Sequence, residues 1–99
     1  MKVVYAPRAL RDIDEILSFI QARSQRGAHN VSLAIEHTIR TCAQNPRTGT
    51  MTDVLNVYRR PLSRYSYTIF YRALPGGDGI EVARVIHGAR VKNLNEMPE

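Results

Sequence analysis

Two clusters in this chain have residue types and spacing suited to chemistry. The first is Tyr58-Arg59-Arg60, followed closely by Arg64-Tyr65. Guanidinium groups make paired hydrogen bonds to phosphate or carboxylate, and aromatic rings stack on bases or on guanidinium planes. Arg59, Arg60, Arg64 and Tyr65 are therefore candidate binding residues, although two arginines on a strand also serve simply to keep a sheet edge soluble. The second cluster is His87-Gly88-Ala89-Arg90. Histidine exchanges protons near neutral pH, and a nearby arginine can stabilise the charge that builds on phosphorus when a 2′-hydroxyl attacks an RNA backbone. His87 and Arg90 form the candidate catalytic pair, with a structural or contact role as the plainer reading of His87.

Other chemistries find no support in the residue pattern. His29 and His37 have no partners at metal-ligand spacing, so no metal site is expected. Gly76-Gly77-Asp78-Gly79 opens no helix and reads as a turn, and neither a phosphate loop nor a dinucleotide fingerprint occurs, so no cofactor is expected. Cys42 has no second cysteine to pair with and falls within an apolar helical pattern, which makes it core filler.

The elements that must position these clusters follow from periodicity. Lys2–Tyr5 has the composition of a short strand and stops at Ala6-Pro7, where proline suits the first turn of a helix. Leu10, Ile13, Ile16, Leu17 and Ile20 then make one apolar stripe, with Arg11, Asp12, Asp14 and Glu15 mostly elsewhere and the acids placed to favour the helix dipole. After the polar break 24–27, Val31, Ala34, Ile35, Thr38, Ile39 and Cys42 form a second stripe, ended by Asn45-Pro46. Thr48-Gly49-Thr50 reads as continuing loop.

The second half is rich in valine, isoleucine, tyrosine and phenylalanine, giving strands over 54–62, 66–73 and 80–87. The glycines of 74–79 supply an antiparallel hairpin turn between the last two. In the middle strand Tyr67, Ile69 and Tyr71 share one face while Thr68, Phe70 and Arg72 share the other, so this strand belongs at the centre of a sheet. Alternation also sends Arg59 and Arg60 to opposite faces, with Arg60 on the helix side if Tyr58 joins the core. The fold class expected is α+β, in two layers of order β-α-α-β-β-β, with a helical hairpin packed on a mainly antiparallel sheet and part of the other sheet face left available. Residues 1–99 read as a single domain, without repeats or a linker.

Basic residues outnumber acidic ones by 14 to 9, and twelve of the fourteen are arginine, which points to an anionic partner: RNA, DNA or an acidic protein segment. No apolar run approaches the ~20 residues that span a bilayer. Asp12, Asp14 and Glu15 near the start are unlike a signal peptide, so a cytoplasmic location without membrane contact is expected.

Taken in order, Tyr5-Ala6-Pro7-Arg8-Ala9, Asp12-Ile13 with Ile16, Phe19-Ile20, Asn45-Pro46, Arg59-Arg60, the run 65–72 and the run 84–90 resemble the RelE/ParE toxin superfamily over nearly the whole chain. That resemblance implies a toxin of a bacterial type II toxin–antitoxin system, neutralised by a cognate antitoxin whose flexible segment folds onto the helical hairpin's outer groove and the sheet. RelE-like members cut messenger RNA in the ribosome, whereas ParE-like members inhibit DNA gyrase. Matched to the RelE-like pattern, Arg59 or Arg60, Arg64 and Arg90 take the basic positions and His87 part of the acid–base role. The C-terminal tyrosine often found in that pattern is absent, and Val85-Ile86-His87-Gly88-Ala89-Arg90 resembles the ParE-like ending. Gyrase inhibition is therefore the leading expectation. The alternatives are ribosome-dependent RNA cleavage and a non-toxic member that only binds its antitoxin.

Overall fold

The computed structural model describes residues 1–88. Its elements are β1 (Lys2–Tyr5), α1 (Pro7–Gln21), α2 (Gln25–Gln44), β2 (Thr50–Met51), β3 (Val57–Pro61), β4 (Tyr67–Ala73) and β5 (Gly79–His87), with single 3-10 turns at Pro46–Thr48 and Pro75–Gly77. The sheet order is β1-β5-β4-β3-β2, in which β1 runs parallel to β5 and every other pair is antiparallel. The α+β, two-layer architecture expected from periodicity is the one found, and β4 lies between β3 and β5 inside the sheet.

Proline at the first position starts α1, while Ser24 caps α2 by accepting a 2.9 Å hydrogen bond from the Gly27 amide. The hairpin lays its apolar side on one sheet face. Val31, Ile35, Ile39, Cys42 and Ala43 of α2 meet Ile69 and Tyr71 of β4 and Ile80, Val82 and Val85 of β5 there, with Ile13, Ile16, Leu17 and Ile20 of α1 closing the side. The opposite face carries a smaller cluster of Val57, Phe70 and Ile86, none more than 5% exposed.

Four local expectations need correction. Leu10, placed in the core stripe, is 54% exposed, while Ala9 and Asp12 turn inward from the same helix. The first turn of α1 holds no acidic residue, and Asp12 serves a buried ion pair instead of the helix dipole. The loop after Gly49 contains a fifth strand, because Thr50 and Met51 pair with Arg59 and Tyr58, too short a ladder to show alternation in sequence. The strand expected from Val54 begins only at Val57. Thr52 closes a turn ahead of it, its amide and hydroxyl both donating 2.9 Å hydrogen bonds to the Val57 carbonyl, and Asn56 adopts φ 65°, a left-handed conformation that asparagine tolerates better than most residues.

Glycine is required where β5 begins. Gly79 has φ 142°, and a Cβ there would overlap the Lys2 backbone, so the parallel β1–β5 pairing depends on its missing side chain.

Candidate functional site

Strand β3 carries the first arginine cluster, and its register assigns each side chain a face. Tyr58 lies opposite Tyr71 and stacks on it, with ring centroids 5.8 Å apart, on the helix side of the sheet. Arg60, opposite Ile69, shares that side and sends Nη1 to the Thr48 hydroxyl at 3.3 Å. Arg59, opposite Phe70, lies on the other face, as alternation required. Its Nε is buried without a hydrogen-bond partner. A buried donor left unpaired costs free energy.

Arg64 and Tyr65 occupy the turn between β3 and β4. Arg64 is exposed, and Tyr65 is half-buried against the main core, its carbonyl accepting from the Tyr67 amide. His87 ends β5 opposite Tyr67, exposed, with the two rings edge to face at 5.2 Å. Arg90 lies outside the described residues. With a strand spacing of about 4.8 Å and a rise of about 3.4 Å per residue, the register sets the His87 and Arg59 backbones roughly 14 Å apart and on opposite faces. Arg60 shares the face of His87 at about 12 Å, with the rows of β4 between them. Among the described residues no cluster of histidine, cysteine and carboxylates could hold a metal ion.

Beneath β3, a hydrogen-bonded knot fixes the loop carrying Arg47 and Thr48. The buried Tyr71 hydroxyl donates to the Pro46 carbonyl at 2.8 Å and accepts from the Gly49 amide at 3.0 Å. A Cβ at Gly49 would overlap that hydroxyl, so close backbone approach is part of the arrangement. Burial pushes the Tyr71 hydroxyl well above the usual phenol range, and the neighbouring Cys42 raises it further. Burial likewise pushes up the Cys42 thiol, against the lowering influence of the neighbouring Tyr71 hydroxyl.

A second surface lies on the helical hairpin. Leu10, Ile13 and Leu17 of α1 and Ser32, Ile35, Glu36 and Ile39 of α2, with Tyr5 at one end, line a groove of about 260 Å³. Its floor is aliphatic. Glu36 on its lining is held by Arg40 at 2.6 Å.

The interaction that sequence reading missed joins helix to sheet. Arg84 Nε donates to Asp12 Oδ2 at 2.7 Å and Nη2 to Oδ1 at 3.1 Å, while the Val85 amide also donates to Oδ2 at 3.1 Å. Its only signal was an aspartate three residues after the buried Ala9 and four before the core-packed Ile16, spacing that puts Asp12 on the inward side of α1.

The family model of the ParE toxin of type II toxin-antitoxin system, parDE, matches residues 3–92. Toxin ParE1 from two strains of Mycobacterium tuberculosis is 42% identical over 53 residues, covering 54% of this chain and 53% of that toxin. The match thus spans about half the length of those relatives. Among solved structures, the chromosomal ParDE TA system from P. aeruginosa superposes with a TM-score of 0.71 at 19% identity, over 88% of this chain and 95% of that one. The isolated E. coli RelE toxin gives 0.55 at 13% identity, over 91% and 86%. At these identities the two structures establish a shared fold.

Proposed function

The chain belongs to the ParE toxin family of type II toxin–antitoxin systems, and from that membership we propose that it inhibits DNA gyrase in the cytoplasm and is neutralised by a cognate antitoxin. The family match across residues 3–92 is the observation that carries this reading. The antitoxin's segment occupies the hairpin groove, whose aliphatic floor suits the apolar side of an amphipathic helix. Arg59, Arg60, Arg64 and Tyr65 supply contacts to the target. The family match to the ParE toxin favours inhibition by binding over nucleic-acid cleavage.

Purified protein incubated with gyrase and DNA, and in parallel with translating ribosomes and messenger RNA, tests the proposal. Loss of supercoiling or trapped DNA cleavage is expected. Codon-positioned RNA cuts with gyrase untouched would replace it by the RelE-like reading, in which His87 and Arg90 act as the catalytic pair. Uninhibited growth on expression without antitoxin would leave a non-toxic, antitoxin-binding protein.

A further inference from the structure

Positive charge is unevenly placed along the chain. Between Glu36 and Asp78 there are six arginines and a single acid, Asp53. Arg40 is paired with Glu36 and Arg72 with Glu81, which leaves Arg47, Arg59, Arg60 and Arg64 as the arginines of this stretch without a carboxylate partner among the described residues. Three of the four follow one rim. Arg60, on the helix side of β3, donates to Thr48, the residue after the exposed Arg47, and Arg64 lies exposed in the turn that continues from β3. Asp53 sits in the opposite direction, in the tip beyond the Met51–Tyr58 pair. The Tyr71 hydroxyl bonds both Pro46 and Gly49 and so fixes the loop that carries Arg47, which lowers the ordering cost of binding there.

The residues around these guanidiniums identify the ligand. Thr48, Thr50, Pro61 and Ser63 are the exposed neighbours, and none of the large exposed apolar side chains among the described residues falls within 46–50 or 59–65. A protein interface is centred on apolar or aromatic anchors buried at its core, which this rim does not offer. Arginines interspersed with serine and threonine hydroxyls are instead the composition that meets phosphate oxygens. We propose that the rim of Arg47, Arg60 and Arg64 binds the phosphate backbone of duplex DNA, so that the toxin engages gyrase on its DNA in preference to the free enzyme. The choice of duplex DNA rests on the reading of the chain as a gyrase inhibitor, because duplex DNA is what gyrase acts on. Arg59, on the other sheet face, is not part of this rim.

The test compares the full-length wild type, the double variant Arg47→Gln/Arg64→Gln, and a charge-matched control, Arg23→Gln/Arg26→Gln, at the other end of the roughly 30 Å long α2. Binding to a plain DNA duplex is measured over a range of salt concentrations, with an RNA strand and polyglutamate as competitors. Binding to gyrase is measured with and without DNA, beside supercoiling inhibition and melting temperature. The wild type is expected to bind the duplex and to hold gyrase at least tenfold more tightly when DNA is present. In the double variant duplex affinity falls at least tenfold, the slope of log affinity against log salt becomes shallower by about 2, and the gain from DNA on gyrase is lost, at an unchanged melting temperature. The control keeps the wild-type slope. A double variant that binds the duplex like the wild type, a control that loses as much, or gyrase bound equally with and without DNA would overturn the rim, as would stronger competition by RNA or polyglutamate than by unlabelled duplex. Each of these leaves the gyrase reading standing as long as supercoiling is inhibited. If the wild type spares gyrase, that reading fails by itself and the duplex assay decides the rim: a slope that depends on Arg47 and Arg64 supports it, and one that does not overturns it.

Discussion

Arg84 and Asp12, 72 positions apart in sequence, form a two-point ion pair with Nε–Oδ2 and Nη2–Oδ1 distances of 2.7 and 3.1 Å, at 9% and 6% exposure. The pair fastens α1 to β5, and the Val85 amide adds a third donor to the same carboxylate. Removing one partner of a buried pair is strongly destabilising, at a cost of about 3–5 kcal/mol. Asp12→Ala is therefore expected to destabilise the protein by about 3 kcal/mol or more, lowering the melting temperature by roughly 12 °C or more in a domain this size. Urea and thermal unfolding followed by circular dichroism measure this. A loss under about 1 kcal/mol would mean that solvent satisfies the Arg84 guanidinium once the carboxylate is gone.

A second prediction concerns alkaline pH. The folded state raises the pKa of both Tyr71 and Cys42, so between the unfolded and folded pKa values the native protein holds protons that the unfolded chain releases. Stability from these groups is complete below about pH 8 and falls as pH rises through the ordinary thiol and phenol ranges, about 8.5 and 10. Tyr71→Phe costs about 1–2 kcal/mol at pH 7 through the lost hydrogen bonds to Pro46 and Gly49, but its stability declines less between pH 8 and 10.5. Parallel pH dependence in the variant and wild type would assign the alkaline loss elsewhere.

How much of this was legible in sequence depends on the length scale of each signal. Both helices, the antiparallel β4–β5 hairpin and the split of Arg59 from Arg60 follow from periods of 3.6 and 2, which persist over several residues. The strand Thr50–Met51 spans too few residues to show a period, and the turn at 52–56 is made by one threonine hydroxyl and one left-handed asparagine amid residues of strand-like composition. The Asp12–Arg84 pair depends on tertiary register, as does the distance between His87 and β3. Local pattern fixes which way a side chain points; it does not fix how far apart two side chains end.

The hairpin groove yields a prediction that separates neutralisation from folding. Leu10 lines the groove yet is 54% exposed, so Leu10→Asp disturbs little of the core. The new carboxylate sits on an aliphatic surface that already includes Glu36, and it costs an apolar or acidic antitoxin segment both burial and charge. Affinity for the cognate antitoxin is expected to fall at least tenfold, about 1.4 kcal/mol, with gyrase inhibition intact. Unchanged neutralisation in a titration of the toxin with antitoxin would move the antitoxin off this groove.

The two neighbouring arginines of β3 are expected to behave as unlike residues. Arg59 carries a buried donor without a partner, so Arg59→Ala removes an existing desolvation cost and leaves stability unchanged or slightly raised. In the complex the guanidinium meets an acidic partner, so the variant loses at least tenfold in gyrase inhibition, and Arg59→Lys recovers little because an ammonium lacks the planar donor set. Arg60 already bonds Thr48 at 3.3 Å and lies on the other face, so Arg60→Ala weakens inhibition by a smaller factor. Half-maximal inhibitory concentrations for the three variants, set beside their unfolding free energies, decide the matter. Equal losses from Arg59→Ala and Arg60→Ala would show that the target grips both faces at the sheet edge, and a stability loss in Arg59→Ala would show that its guanidinium is satisfied in the free protein.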